Sequence, residues 1–267
     1  MNLLHDVQRY LKEHDIRLSK ALGQHFLIDE RVVRAVVQAA GLRGTEHVVE
    51  IGAGLGILTK ELLRHAATVT AIEVDRRFAH LLSNYVCTEA MDPSHLTIIH
   101  GNALKVAMPE SSYTVVANIP YQITSFLFRK LLLHTPRRPE GITLLVQREV
   151  AERICSEKNI SILTVLVKLF ADPRIVRIVP PSAFLPPPAV DSAILSVPML
   201  RIPRATESEI TTILRDCSLA FGKKRKMLRA SLGKIHGGME RLERAKVSPE
   251  QRPETLSIEE WIALARA

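Results

Sequence analysis

The chain has 267 residues, 24% of them charged and 46% hydrophobic, and a formal net charge of +8. At this length it can bury about 70 to 75% of its unfolded surface, enough for one large and one small domain. No run approaches the ~18 apolar residues of a membrane helix, and the three cysteines are spaced for neither a disulfide framework nor a zinc site. We therefore expect a cytoplasmic protein with no secretory signal, no membrane contact and no metal, and its charge favours a polyanionic partner.

The first forty residues predict two helices with a loop between them. Residues 1–15 are predicted to form the first helix, and residues 17–29 show no clear periodicity, which predicts a loop or a cover. The second helix begins after Asp29, a suitable N-cap, and ends at Gly41. Its core-facing stripe at helical spacing consists of Val32, Val33, Val36 and Val37.

Residues 48–59, VVEIGAGLGILT, predict a strand, a glycine turn and a helix. Glycines permit positive φ and let a ligand lie against the main chain, where unpaired amides of the next helix can bind it. The dinucleotide pattern G-x-G-x-x-G would need a glycine where Ile57 stands, so the pattern favours S-adenosylmethionine over NAD. Glu73 ends the next strand, 19 residues after Gly54, near where doubly wound folds place the carboxylate for ribose hydroxyls. The alternative is a purely structural glycine turn.

Strands and helices alternate as far as residue 146. We predict strands over residues 69–74, 95–100, 113–117 and 141–146, and helices over residues 75–90 and 125–133. This order implies right-handed crossovers and a parallel sheet of the α/β class. Ligands bind beyond the carboxyl ends of such strands, so we expect one crevice to be shared by Glu73, by Gly101-Asn102-Ala103-Leu104 and by Asn118-Ile119-Pro120-Tyr121.

The stretch Asn118-Ile119-Pro120-Tyr121 indicates the reaction. An aromatic amine such as the exocyclic nitrogen of adenine is a poor nucleophile because its lone pair is delocalised into the ring. A site must therefore accept the hydrogens of the amine and align its lone pair with the methyl group of the sulfonium. Asn118 offers a side-chain oxygen acceptor. Pro120 has no N–H and moves Ile119 away from helical geometry, so that main-chain carbonyls can point into the pocket. Tyr121 offers a stacking face for a flipped base. A strand-end turn is the alternative, but the position after the fourth strand favours catalysis.

The last third of the chain is less regular. Residues 160–170 suit a helix or a buried strand, and periodicity does not decide between them. Residues 175–179 and 193–197 predict a strand pair around FLPPPAV, whose prolines form either a rigid linker or a stiff support that holds Phe184 at a fixed distance from the pocket. Thr206 is the predicted cap of a helix with Ile210, Ile213, Leu214 and Leu219 on its apolar face.

Residues 201–267 are basic, with 14 Lys/Arg against 9 Asp/Glu. One run without an intervening acid supplies the candidate RNA-binding residues, which are Lys223, Lys224, Arg225, Lys226 and Arg229. A solvated helix face is the alternative. Because the run occurs together with a cofactor motif, we favour contact with nucleic-acid phosphates.

Together these motifs resemble those of the ribosomal RNA adenine dimethyltransferases of the KsgA type. The resemblance covers nearly the whole chain and rests on GQHFL (23–27), EIGAGLGILT (50–59), EVD (73–75), GNAL (101–104), NIPY (118–121), QREVAERI (147–154), FLPPPAVDSA (184–193) and FGKKRKMLRASL (221–232). It implies a Rossmann-like S-adenosylmethionine-dependent methyltransferase domain over residues 1–200 and a small, basic helical RNA-binding domain over residues 201–267. It also favours a helix over residues 160–170.

The resemblance further implies roles for individual residues. The cofactor pocket would be lined by His25, Leu27, Gly52, Gly54, Glu73, Asn102 and Asn118. The catalytic group would consist of Asn118, Pro120, Tyr121 and Phe184, with Tyr121 and Phe184 sandwiching the target adenine. Two positions depart from the commonest pattern of the family, because position 25 is often Asn and position 102 is usually Asp.

The implied reaction is a direct in-line methyl transfer to the exocyclic nitrogen of adenine, repeated once, with S-adenosyl-L-homocysteine as the product of S-adenosyl-L-methionine. No catalytic cysteine or metal is needed. We expect a monomer that acts in ribosome biogenesis on small-subunit (16S) ribosomal RNA or on a pre-ribosomal particle. Two alternatives share the fold: the macrolide-resistance methyltransferases of large-subunit RNA, and a non-catalytic RNA-binding assembly or transcription factor. FLPPPAVDSA and FGKKRKMLRASL favour the small-subunit enzyme, while Glu73 and NIPY favour catalysis.

Overall fold

The computed structural model describes residues 3–16, 18, 23–86, 92–223 and 226–267. The contacts between residues divide the chain into two compact units, residues 1–151 with 174–199 and residues 152–173 with 200–267. The helices and strands, in chain order, are α1 (Leu3–Glu13), β1 (Phe26–Leu27), α2 (Glu30–Ala40), β2 (His47–Ile51), α3 (Ile57–Leu62), β3 (Thr68–Glu73), α4 (Arg76–Val86), β4 (Leu96–His100), β5 (Thr114–Asn118), α5 (Thr124–Leu133), β6 (Gly141–Gln147), α6 (Arg148–Cys155), α7 (Ile162–Phe170), β7 (Arg174–Val179), β8 (Phe184–Leu185), β9 (Ser192–Pro198), α8 (Glu207–Phe221), α9 (Gly238–Arg244) and α10 (Ile258–Arg266).

The first unit is built on a seven-stranded sheet with the order β4-β3-β2-β5-β6-β9-β7. The five strands from β4 to β6 are parallel, and β9 runs antiparallel between β6 and β7. Parallel strands covered on both faces are apolar along most of their length, as in β6, where Ile142, Leu144, Leu145 and Val146 are buried. The predicted α/β class and the predicted strand pair are confirmed, and the pair extends this same sheet.

Helix α2 begins and ends where the sequence predicts. The Asp29 side chain accepts the N–H of Arg31, and Gly41 ends the helix with a left-handed φ of 64°. Both signals are local, because a capping side chain and a glycine act within one turn of the helix. The four valines of the predicted stripe are all buried.

A separate two-stranded sheet joins distant parts of the first unit. Strand β1 pairs antiparallel with β8, with Phe26 opposite Leu185 and Leu27 opposite Phe184. The prediction of a loop or a cover over residues 17–29 therefore missed the strand at residues 26–27, because the partner strand β8 lies far away in the sequence. Residues 17 and 19–22 of that segment lie outside the described residues.

The second unit is helical in most of its length. Residues 162–170 form helix α7, as the family resemblance favours, and α8 begins with a capping box between Thr206 and Glu209. The predicted division placed all of residues 1–200 in the first domain. In the structure, residues 152–173 instead belong to the same unit as the C-terminal helices, because α7 packs on α8 and α10. No helix in the described part of the chain is long and apolar enough to span a membrane.

The apolar face predicted for α8 was wrong at Leu219, which is 46% exposed. The buried face instead continues through Cys217 and Ala220 and includes Asp216. Arg241 of α9 donates to the Asp216 carboxylate at 2.7 Å, and this pairing allows an ionised group on the buried side of the helix.

Candidate functional site

The carboxyl ends of four parallel strands surround one cavity in the first unit. Its volume is about 320 Å³, within the ~300 to 1,000 Å³ of small-molecule sites. Each of the three stretches expected there contributes lining residues. Pro120 and Tyr121 of the predicted catalytic group line the cavity. So do all seven predicted cofactor residues, which are His25, Leu27, Gly52, Gly54, Glu73, Asn102 and Asn118.

The glycine turn after β2 forms one wall of the cavity. Gly52 and Gly54 have φ values of 74° and 55°, in the left-handed region that side chains disfavour. A Cβ atom at Gly54 would lie 2.5 Å from the Phe26 ring. Glycine is therefore required at position 54 both by the backbone conformation and by the packing of β1 against the turn.

Glu73 holds this turn from the end of β3. Its Oε2 atom accepts the N–H of Gly54 at 2.7 Å, and its Oε1 atom accepts the N–H of Asp75 at 2.8 Å. Burial raises the pKa of the Glu73 carboxyl, while these two backbone donors act in the opposite direction. Each oxygen keeps a second lone pair for a ligand. Asp75 is in turn held by Gln24 of the GQHFL stretch, which donates to it at 2.9 Å.

Glu50 also lines the cavity, and the sequence interpretation missed it. Its side chain is 1% exposed, and its Oε2 atom has no hydrogen-bond partner among the described residues. Burial raises the pKa of the Glu50 carboxyl to about 8, and repulsion from Glu73 acts in the same direction. The available signal was an acidic residue inside the apolar strand VVEI.

Asn118 is oriented by the main chain of His25, the residue just before β1. Its Nδ2 atom donates to the carbonyl oxygen of His25 at 2.9 Å, which assigns the orientation of the amide. The amide nitrogen is thereby engaged, and the carbonyl oxygen Oδ1 is the end available to a ligand. A residue of the cavity wall thus determines which chemical group Asn118 offers.

The rings of His25 and Tyr121 are stacked, with centroids 6.1 Å apart and planes 17° apart. His25 Nδ1 lies 2.7 Å from the carbonyl oxygen of Pro186, which can only accept, so Nδ1 carries the proton. The Tyr121 hydroxyl lies 2.6 Å from the Ser192 hydroxyl. Burial raises the pKa of Tyr121, so its phenol is a neutral, positioned ring at physiological pH.

Asn102 closes a local turn beside the cavity. Its Oδ1 atom accepts the N–H of Leu104 at 2.9 Å. A carboxylate at this position can accept the same bond, so the turn does not require an amide. Among the described residues, no group of three or more His, Cys, Asp or Glu side chains is arranged to hold a metal ion.

Phe184 is not among the described residues that line the cavity. Its side chain is 2% exposed and belongs to a buried cluster with Leu27 and Ala183. In this arrangement the ring has no free face for an adenine, because the pairing of β8 with β1 keeps it in the core. A sandwich with Tyr121 would require this segment to move, and the role of Phe184 stays a prediction.

The predicted RNA-binding run belongs to the second unit. Lys223, Lys226 and Arg229 are exposed, and the Lys223 ammonium donates to the Ala230 carbonyl at 3.2 Å. Lys224 and Arg225 lie outside the described residues. The exposed side chains suit both a phosphate contact and a solvated surface.

Comparison with known proteins identifies similar chains over nearly the full length. The model of the family described as ribosomal RNA adenine dimethylase matches residues 16–267. The ribosomal RNA small subunit methyltransferase A of Novosphingobium aromaticivorans is 39% identical over 265 residues, which cover 96% of this chain and 95% of that protein.

Two solved structures have a similar fold. A dimethyladenosine transferase from Plasmodium falciparum has a TM-score of 0.75 and 28% identity, covering 90% of this chain and 96% of its own. The 23S rRNA methyltransferase ErmE has a TM-score of 0.73 and 26% identity, covering 90% of this chain and 98% of its own. Because one of these two structures is that of a 23S rRNA methyltransferase, the fold alone does not identify which ribosomal RNA is the substrate.

Proposed function

Because the chain belongs to the ribosomal RNA adenine dimethylase family, we propose that it transfers two methyl groups from S-adenosylmethionine to the exocyclic nitrogen of adenines in small-subunit ribosomal RNA. The observation that carries the proposal is the orientation of Asn118. Its nitrogen is held by the His25 carbonyl, and its oxygen is left to accept a hydrogen bond in the cavity that Glu73 also lines. The name of the Novosphingobium relative supports the small subunit as the substrate.

The residues of the cavity suit S-adenosylmethionine. Glu73 offers carboxylate lone pairs for the two ribose hydroxyls, and the absence of a Cβ atom at Gly54 leaves the main chain open to close approach. The unpaired Oε2 atom of Glu50 belongs to a buried carboxyl that keeps its proton at neutral pH, and a polar part of the cofactor can pair with it. Asn102 lies at the cavity edge beside the GNAL turn, where its amide suits the adenine edge of the cofactor. When bound, S-adenosylmethionine supplies an electrophilic methyl group on a sulfonium.

The catalytic work of the chain is positioning and charge stabilisation. The Asn118 Oδ1 atom accepts a hydrogen of the adenine amine, so that the nitrogen lone pair is directed away from the ring plane. Pro120, with φ −57° and ψ 130°, keeps the chain extended before the turn that presents Tyr121. The Tyr121 ring stacks on the extruded adenine. The proton leaves after methylation, because a methylated anilinium-like nitrogen is strongly acidic.

Activity on purified ribosomal subunits tests the proposal. Small and large subunits from cells that lack the gene are incubated with the protein and methyl-labelled S-adenosylmethionine, and their nucleosides are analysed by mass spectrometry. We expect dimethyladenine in the small-subunit RNA. Label in the large-subunit RNA alone would favour the macrolide-resistance type of activity, and RNA binding without any label would favour a non-catalytic protein. Light scattering on the same preparation tests the proposed monomer.

A further inference from the structure

Phe126 differs from the other aromatic residues of the chain. The seven Phe, four Tyr and one Trp all lie within the described residues. Phe126 is 61% exposed, and the others are buried or half-buried. A single exposed apolar side chain is common on protein surfaces, so its exposure acquires meaning only from its position.

The position of Phe126 is at the edge of the cavity. Residues 121–123 line the cavity and form a turn of 3-10 helix that continues into α5. Phe126 follows Ile123, the last residue of this turn, by three residues, and side chains at that spacing lie on the same side of both a 3-10 helix and an α-helix. The buried side of α5 is fixed by other residues, namely Leu127, Phe128, Leu131 and Leu132. The Phe126 ring is therefore held outside the core, about one helical turn from the cavity lining.

A free positive charge lies beside this ring. Arg129 is three residues after Phe126, it is exposed, and it has no hydrogen bond or ion pair with the described residues. The neighbouring Lys130 differs, because its ammonium donates to the carbonyl of Ala103 at 2.6 Å and also to that of Val106. Lys130 thus fastens α5 to the GNAL turn of the cavity, and Arg129 remains available to an anion.

We propose that Phe126 and Arg129 form a subsite for the nucleotide that adjoins the target adenine in single-stranded RNA. The neighbouring base stacks on the Phe126 ring, and a backbone phosphate binds the Arg129 guanidinium. This inference rests on the proposed function. An adenine that enters the cavity leaves its neighbour without a stacking partner, and an aromatic ring at the rim replaces that partner. Any base can stack on an aromatic side chain. The subsite therefore contributes affinity and fixes the position of the RNA strand along the site, without selecting its sequence.

Kinetics with three replacements of Phe126 test the stacking. Loss of one base–aromatic contact should lower kcat/KM for small-subunit RNA about 5- to 150-fold in Phe126→Ala, with the affinity for S-adenosylmethionine unchanged. Phe126→Tyr should retain the wild-type value, whereas Phe126→Leu should not, because it keeps the apolar bulk and loses the ring. The control is Val176→Ala in β7, which changes another exposed apolar residue. Full activity of Phe126→Leu or Phe126→Ala would overturn the proposal.

A fluorescent base identifies the contact directly. In a short single-stranded RNA, 2-aminopurine is placed on the 5′ or the 3′ side of the target adenine, and its quenching is measured with the wild type and with Phe126→Ala. Quenching on one side that depends on Phe126 supports the subsite, and no such quenching on either side overturns it. A different outcome would be that Phe126→Ala loses activity on intact subunits while it keeps full activity on protein-free RNA. That result would show that Phe126 contacts a ribosomal protein and not the RNA, and it would also overturn the proposal.

The charge is tested separately. Arg129→Gln should flatten the dependence of log K on log salt by about 0.7 for this RNA, as expected for one lost phosphate contact. Arg43→Gln, an exposed arginine before β2, should leave the slope unchanged, and equal slopes for both variants would contradict the role of Arg129. If the wild type itself transfers no methyl group, the proposed function fails. If the wild type transfers methyl groups and the Phe126 and Arg129 variants match it in activity and salt dependence, only the proposed subsite fails.

Discussion

The Glu73 carboxylate and the backbone N–H of Gly54 are joined by a 2.7 Å hydrogen bond between the end of β3 and the turn after β2. A second bond, from the N–H of Asp75, holds the other carboxylate oxygen. Glu73 therefore fixes the shape of the cavity wall as well as offering acceptors to a ligand. Replacing Glu73 therefore affects both the shape of the wall and the binding of a ligand, and variants of different side-chain size are needed to separate the two effects.

Replacing Glu73 should weaken binding of S-adenosylmethionine. A charged acceptor contributes about 1.5 to 3 kcal/mol per hydrogen bond, so we expect Glu73→Ala to lose at least about tenfold in affinity by calorimetry. Glu73→Gln should lose less, because it retains the size of the side chain and one oxygen acceptor. Glu30→Ala, in the exposed first turn of α2, serves as the control. Unchanged affinity in Glu73→Ala would contradict the assignment.

Asn102→Asp should bind S-adenosylmethionine more tightly. The carboxylate keeps the acceptor for the Leu104 N–H and adds a charge-assisted bond to a donor on the cofactor, which is stronger than a neutral one by about 1 kcal/mol. That difference corresponds to about a fivefold lower Kd. Calorimetry on the two proteins measures it, and equal or weaker binding by Asn102→Asp would show that position 102 does not face the cofactor amine.

Asn118→Ala should abolish methyl transfer and leave RNA binding nearly intact. The loss of one positioned hydrogen-bond partner of the transition state lowers the rate by ~10² to 10³, whereas Asn118 contributes little to docking of the polyanion. Single-turnover transfer and filter binding measure the two effects on the same preparation. Near-normal transfer would refute the role of the Asn118 oxygen.

The basic run should control the salt dependence of RNA binding. If Lys223, Lys224 and Lys226 each contact one phosphate, their joint replacement by Ala should weaken binding and flatten the slope of log K against log salt by about 2 to 3 units. The affinity for S-adenosylmethionine should not change, because the described residues that line the cavity all belong to the first unit. Lys12→Ala, on α1, is the control. A wild-type slope in the triple variant would favour a solvated surface.

Glu50→Gln should remove part of the pH dependence of stability. Burial raises the pKa of Glu50 from an ordinary value of 4.5 to about 8, so between these values the folded state holds a proton that the unfolded state releases. Stability therefore falls as the pH rises through this window, by up to about 1.4 kcal/mol per pH unit.

Urea unfolding between pH 5 and pH 8 measures the difference between the wild type and Glu50→Gln. The neutral amide has no proton to lose, so the variant should gain stability relative to the wild type as the pH increases. Glu30→Gln, at an exposed carboxylate, should behave as the wild type does. Parallel pH profiles for the wild type and Glu50→Gln would show that Glu50 does not titrate in this window.

The parts of the fold that depend on local signals could be predicted. The α/β class and the family are confirmed, and α2 begins after Asp29 and ends at Gly41 because capping acts within a single turn. The exposure of Leu219 could not be predicted, since it depends on which helix lies opposite α8. Residue types along α8 do not show that Arg241 arrives from α9 to neutralise Asp216.

The candidate site follows the same division. Glu73, Asn102 and Asn118 could be selected because each lies at or just beyond the carboxyl end of a strand, and parallel strands end at one edge of the sheet. The unpaired Oε2 atom of Glu50 could not be selected, because its isolation depends on the surrounding packing. The burial of Phe184 was missed for a related reason, since it results from a strand pairing that no local pattern specifies.

The pairing of β1 with β8 also sets the order in which the protein can be completed during translation. The imidazole of His25 meets the carbonyl of Pro186 across 161 residues of sequence. A nascent chain that has emerged only as far as residue 183 holds Glu73 and Asn118, but β1 has no partner strand and the His25 ring has no acceptor at Pro186. Such long-range closure is slow compared with local folding. The wall that orients Asn118 is therefore among the last parts of the first unit to form, and an incomplete chain lacks the geometry needed to hold a nucleotide.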